Sequence, residues 1–282
     1  VGVDGDADVA DGGAGSDATT DSSIPGLVSL RVEPSLVEIT DDGFAPGETA
    51  SVRAIGTFDD GERDLTELVF WTVERETLAA IDAGDLTSQG IGGRGVITAQ
   101  AGSTMATADL RIRLEVAVPG DVDPEVRALF PDDLDGDVVG VDDAPLIVYP
   151  SDETQFPRNL ERVDHQWRAG GLDVFEVRVE RELGLIRYFT SDLHLLPDAA
   201  GWRWIADTHA GASLELSVRG IDADEPSRVL RSDAVTLYYS ESEFRGALYY
   251  WSTGAQGVMR ATIASNLATK FYSGPEDNTC VA

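Results

Sequence analysis

The residues best suited to chemistry are few and scattered. Asp133-Leu134-Asp135-Gly136-Asp137 sets three carboxylates at i, i+2 and i+4, a spacing with which a loop can wrap Ca²⁺. The glycine stands one position too early for a helix–loop–helix calcium loop, and no glutamate follows at the distal ligand position. The stretch therefore reads first as an acidic hinge and second as a calcium site made by Asp133, Asp135 and Asp137. Cys280 is the single cysteine, so no intrachain disulfide can form. Val281 and Ala282 follow it and suit the two middle positions of a C-x-x-C-H haem-attachment motif. Covalent attachment needs a second thioether and an axial histidine, so the chain as it stands is not expected to hold haem. The alternative is a terminal thiol, free or in an intermolecular disulfide.

The remaining candidates point away from catalysis. His165, His194 and His209 lie in different segments, and none has a second histidine or cysteine at ligand spacing. His165 shares a strand face with Val163 and Trp167, which predicts a packed, hydrogen-bonded imidazole. There is no G-x-S-x-G elbow, and Lys270, the only lysine, follows no glycine-rich phosphate loop. Gly90 to Gly95 is glycine-rich but reads as a hairpin turn. Trp202, Trp204, Tyr249, Tyr250 and Trp251 could stack on a sugar, with core packing as the alternative. No catalytic residue is assigned, and the chain reads as a non-enzyme.

The bulk composition sets the setting for these residues. The chain has 282 residues, 42% of them hydrophobic, which suits two domains of about 100 residues each. Its formal net charge of -30 opposes binding to nucleic acid phosphates and anionic lipid headgroups. No stretch is apolar enough to span a membrane. Val1 opens the chain with neither methionine nor a leader, which reads as a processed or excised piece of a longer product.

The elements that must position the candidates are strands. Residues 1–25 hold Asp4, Asp6, Asp8, Asp11, Asp17 and Asp21 with almost nothing to bury, which predicts a disordered acidic tether. Such a stalk suits a lipid-anchored surface protein. Over 26–116, period-2 alternation at Leu30 and Val32, at Val69, Trp71 and Val73, and at Leu110, Ile112 and Leu114 predicts half-buried strands. Asp42-Gly43, Asp60-Gly61 and Gly92-Gly93 mark turns between them. Residues 117–144 are rich in Asp, Pro and Gly and read as a linker. Over 145–241, Phe175, Val177 and Val179 alternate with Glu176, Arg178 and Glu180, and Leu214, Leu216 and Val218 with Glu215, Ser217 and Arg219. Residues 242–282 change character: a tyrosine-rich strand, a Gly-containing turn and Gly257-Val258-Met259-Arg260-Ala261.

Two resemblances follow. Leu30-Arg31-Val32-Glu33-Pro34, then Ala54-Ile55-Gly56-Thr57-Phe58-Asp59-Asp60-Gly61, Asp64-Leu65-Thr66, Trp71 and Gly95-Val96-Ile97-Thr98-Ala99 resemble the bacterial immunoglobulin-like group 2 family. The Trp167 strand, Phe175-Glu176-Val177-Arg178-Val179 and Leu214-Glu215-Leu216-Ser217-Val218 resemble, more loosely, a fibronectin type III-like domain. The resemblances imply an all-β chain of two tandem immunoglobulin-like β-sandwiches with a partial C-terminal β segment. They imply a non-enzymatic spacer or adhesion module at the bacterial surface or in the periplasm, partnered by other domains of its own full-length chain or by a surface protein or glycan. The 242–282 segment resembles the start of a propeller-like or haem-bearing domain, which gives the alternative of an envelope redox or sensory protein with haem c at Cys280. Carbohydrate binding is the third alternative.

Overall fold

The computed structural model describes residues 23–161, 163–224, 226, 228–262 and 268–273. Residues 1–22 of the expected 1–25 tether, and Cys280, fall outside this set. The first unit contains β1 (Leu27–Glu33), β2 (Leu36–Asp41), β3 (Thr49–Ser51), β4 (Arg53–Phe58), β5 (Gly61–Asp64), β6 (Phe70–Val73), β7 (Ala79–Asp82), β8 (Asp85–Ser88), β9 (Gly93–Ala101) and β10 (Thr104–Val118). One layer is β2-β10-β9-β6; the facing layer is built from β1-β4-β5 and β3-β8-β7. Alternate residues of each strand meet between the layers, where Val32, Ile39, Ala54, Trp71, Leu86, Ile97 and Ile112 form the core.

The motif residues of this unit have identifiable work. Asp64 accepts from the Thr66 amide (3.0 Å) and hydroxyl, and the Thr66 hydroxyl oxygen accepts from Ala54 N (3.0 Å). Those bonds hold the Asp64 carboxyl below its ordinary range. Trp71 Nε1 donates to the Thr66 carbonyl at 2.8 Å, so the same turn anchors the core indole. A Cβ on Gly56 would lie 2.3 Å from Leu65 Cδ1, which explains the glycine in the strand before the turn. Asp59 and Asp60 form the two-residue loop between Phe58 and Gly61, which pair across the hairpin. The Gly90–Gly95 stretch is not a hairpin turn. It carries the chain from β8 in one layer to β9 in the other.

The second unit contains α1 (Pro124–Arg127), β11 (Val138–Val139), β12 (Leu146–Tyr149), β13 (Thr154–Pro157), β14 (His165–Arg168), β15 (Val174–Arg181), β16 (Gly184–Thr190), β17 (His194–Leu195), α2 (Ala199–Thr208), β18 (Ala212–Ile221), β19 (Leu230–Arg231) and β20 (Val235–Ser240). Its main sheet is centred on β16-β15-β18, with β20 and β13 continuing one edge. The facing layer combines β12-β14-β17 with helix α2, and Phe175, Val177, Ile186, Leu216, Trp167 and Trp202 fill the space between. Helix α2 departs from the strand-only expectation. Asp198 caps it by accepting from Gly201 N (2.8 Å), and Trp202, Ile205 and Ala206 form its buried stripe.

The acidic 117–144 stretch, expected as a linker, is mostly exposed but is anchored to the second sandwich at Val122, Phe130 and Asp137. Val116 and Val118 of β10 already pair with β16, and the chain from Val122 to Val139 then runs as a strap over the outer face of β16-β15-β18. Val122 and Phe130 of the strap form a small core with Phe189, Ile221 and Val229. Beyond the second unit, β21 (Ala247–Ser252), β22 (Gly257–Thr262) and β23 (Thr269–Ser273) make an antiparallel meander. Among the described residues, no helix is long and apolar enough to cross a membrane.

Candidate functional site

The feature with the clearest mechanical consequence is the junction between the two sandwiches. It is built on one strand. β10 pairs with β9 from Thr104 to Ile112 and with β2 from Asp109 to Leu114, then with β16 in parallel from Leu114 to Val118. Ala108, Leu110 and Ile112 point into the first core, while Leu114 and Val116 point into the second. A single run of alternating residues thus threads both interiors, and the strand does not break between them.

Contacts on both sides of β10 lock the angle. Asp41, fully buried, accepts from Gly43 N at 2.6 Å and Gly90 N at 3.2 Å, pinning two loops of the first sandwich. The Gly43 carbonyl accepts from Trp204 Nε1 of α2 at 3.1 Å, and Phe44 meets the Trp204 ring edge-on at 5.4 Å. Any Cβ on Gly43 would approach Val116 to 2.7 Å and Trp204 to 2.8 Å. Gly92 N donates to the Thr208 hydroxyl (3.1 Å), Arg203 donates to the Gln89 carbonyl (3.0 Å), and Arg113 donates to the Glu182 carbonyl (2.7 Å). Arg94 adds an exposed ion pair with Glu182.

His209 closes the junction from beneath. Its ring is 1% exposed, with Nδ1 donating to the Ile205 carbonyl at 2.6 Å and Nε2 without a partner among the described residues. Burial lowers its pKa to about 4, so it is neutral at ordinary pH. His165 is packed as expected, 2% exposed with Nδ1 at 3.3 Å from the Leu195 carbonyl, and burial lowers its pKa as well. His194 is exposed and pairs with Asp164 at 2.9 Å.

The calcium expectation meets an ion-pair network instead. The Asp137 side chain is fully buried, and both its carboxylate oxygens accept from Arg219 at 2.9 Å; Arg231 lies 3.2 Å away. Asp133 offers its backbone carbonyl to Arg219 (3.2 Å), while its side chain accepts from the Asp135 amide (3.2 Å). Arg219, with a fully buried side chain, also pairs with Glu176, which in turn binds Arg187. Arg187 reaches Asp132 and the Phe130 carbonyl. Among the described residues, no group of three or more acidic, histidine or cysteine side chains could hold a metal ion. Asp137 thus serves the strap's attachment through its carboxylate and Asp133 through its backbone carbonyl; the Asp137 carboxylate already meets guanidinium charge, and a cation there would have to displace it.

The sugar-stacking set divides in two. Trp202 and Trp204 are 3% and 8% exposed, with their ring nitrogens bonded to the Arg158 and Gly43 carbonyls, so they are core residues. Tyr249, Tyr250 and Trp251 are exposed on β21. Glu176, Arg178 and Arg219, which alternation assigned to a wet face, are buried beneath the strap. The junction residues Asp41, Gly43 and His209 were missed by sequence reasoning. The visible signal for α2 was Asp198 followed by Ala199-Ala200 and apolar residues at helical spacing.

No protein-family model matches the chain, and no curated protein matches it. Solved structures that align with it include titin Ig tandem domains at 11% identity, covering 75% of this chain and 94% of that one, with a TM-score of 0.22. A bacterial ice-binding adhesin aligns at 12% identity over 84% of this chain and 76% of that one, with a TM-score of 0.24. Domains 4–9 of the surface layer protein SbsC align at 11% identity over 79% of this chain and 33% of that one, with a TM-score of 0.26. Superpositions this loose carry no argument about function. The described residues form tandem, nearly all-β sandwiches.

Proposed function

We propose that the chain is a non-enzymatic extracellular spacer or adhesion module that holds whatever it carries at a fixed angle and distance. The observation behind this reading is β10, which belongs to both cores and is hydrogen-bonded on both sides of the crossing. A flexible linker would let two sandwiches tumble separately; a shared strand transmits orientation and load from one to the other. The composition suits an exposed setting. The net charge of -30 keeps the surface soluble and repels polyanions, and the single cysteine leaves no intrachain disulfide to reduce. Within this reading the first sandwich is a bacterial immunoglobulin-like group 2 module, supported by the Asp64-Thr66-Ala54 clip and the Gly56–Leu65 contact. The second is a fibronectin-like variant that has gained helix α2 and the strap.

Hydrogen exchange of the full chain tests the reading. Amides from Leu110 to Val118 should exchange as slowly as those of the core strand β15, with no fast step at Leu114. Rapid exchange confined to 113–118 would mean a hinge and would remove the spacer argument.

A further inference from the structure

The β21-β22-β23 meander differs from the rest of the molecule in two ways. Of the nine exposed aromatic side chains among the described residues, five lie in this sheet. Between Glu243 and Glu276 the sequence carries Arg245, Arg260 and Lys270 and not one carboxylate, in a chain whose net charge is -30. The register assigns the faces. Tyr249 pairs with Arg260, and Trp251 pairs with Val258, which pairs with Tyr272, so these five residues share one face. Phe271 stands at the bulge in β23, and its ring meets Tyr249 edge-on at 5.0 Å, which places it on that face as well. The result is an exposed aromatic face of Tyr249, Trp251, Phe271 and Tyr272 around Arg260. The four rings are 43–63% exposed, and Arg260 has no ion-pair or hydrogen-bond partner among the described residues.

We propose that this face is a binding platform for a polysaccharide bearing sparse carboxylates, a uronate-containing glycan. A pyranose ring has a C–H face that stacks on an exposed aromatic ring and a hydroxyl rim that stays hydrated, which an open platform provides. Unpaired Arg260 supplies a planar donor fork for a uronate carboxylate. Charge sets the class of polymer. The platform face carries one cation, Arg260, and no carboxylate, so it attracts an acidic group, but the surrounding acidic surface repels a densely charged chain such as nucleic acid or a heavily sulfated glycan. A protein partner would be expected to meet pockets that hold aromatic anchors, and among the described residues the exposed rings stand on an open sheet face. The inference does not rest on the spacer reading, because the sheet lies outside both sandwiches.

The test is isothermal titration of the full chain with a hexameric oligogalacturonate, with cellohexaose, heparin and single-stranded DNA in parallel. The uronate should bind more tightly than the other three. Trp251→Ala should weaken it about tenfold or more, and Arg260→Gln about fivefold. Tyr250→Ala, on the opposite face, should leave affinity unchanged. Trp251→Phe, which keeps a ring, should retain most of the binding and guards against a folding artefact. Absence of binding at millimolar oligogalacturonate, equal affinity in the Trp251→Ala and Arg260→Gln variants, or tighter binding of cellohexaose, heparin or DNA would each overturn the proposal. So would a dimer in sedimentation that Trp251→Ala dissociates, since the face would then belong to a second copy.

Discussion

The two sandwiches solve the same problem by different means. The first buries apolar alternation and fixes its turns with short-range bonds: Asp64 to Thr66 two residues on, and Phe58 to Gly61 across a tight hairpin. The second adds charge to its structure. The outer face of β15 and β18 carries Glu176, Arg178 and Arg219, and the strap covers it through Asp137, Asp132 and the carbonyls of Phe130, Pro131 and Asp133. The lesson is that an acidic, proline-containing segment does not have to be a linker. Where the sheet beneath it presents arginines, its carboxylates and carbonyls become the hydrogen-bond partners that make burial of those arginines tolerable.

The largest effect that would break the comparison is removal of one partner from the buried pair. Asp137→Ala leaves Arg219 charged and buried, and should cost about 3–5 kcal/mol. The loss should fall on the second sandwich alone, so that urea unfolding resolves two transitions where the wild type shows fewer. An unfolding curve the same as that of the wild type would mean that the strap is dispensable. For the same reason, a fragment covering 145–241 should fail to give a cooperative melt, because it lacks the β10 strand and the strap, whereas 26–118 should melt cooperatively on its own.

Next in size is the pH dependence from His209. Its folded pKa of about 4 lies below the unfolded value of 6.5, so the unfolded chain takes up the proton first as the pH falls. Stability from this group is complete above pH 6.5, declines as the pH drops from there to about 4, and is lost by about 3 kcal/mol at the bottom of that window. His209→Gln should lose that segment of the pH profile while keeping the acid losses due to carboxylates. A profile with the same slope in both proteins would contradict the buried neutral imidazole. A smaller effect sharpens the first sandwich: Gly56→Ala forces a Cβ to within 2.3 Å of Leu65, and should cost about 1–3 kcal/mol in thermal or urea melts. The smallest concerns Arg94→Ala, which removes an exposed ion pair with Glu182 and should cost about 0–1 kcal/mol.

Legibility in the sequence follows the same division. Leu110, Ile112 and Leu114 were readable as a strand because each buries one face, and Phe175, Val177 and Val179 likewise. The Asp64-Leu65-Thr66 turn was readable because its bonds are local. Glu176 and Arg219 were assigned to solvent because alternation reports one layer of contacts and cannot see a strap that arrives from 40 or more residues away in sequence. Helix α2 was missed because two tryptophans flanking an arginine also fit a strand, and a ten-residue helix offers little period to detect. The junction was invisible for a related reason: β10 reads as one long alternation, and nothing local marks where it leaves one core for the other.

The central claim is that the two sandwiches form one rigid body through β10. The direct measurement is a distance distribution between spin labels placed at Thr72 on β6 and Glu215 on β18, both exposed, in a Cys280→Ser background. A single narrow distribution, unchanged between low and high salt, is the predicted result, and Gly43→Val should broaden it by wedging Val116 from Trp204. A broad distribution in the unaltered junction, or one that contracts as salt screens the acidic surfaces, would show two domains on a hinge and contradict the account.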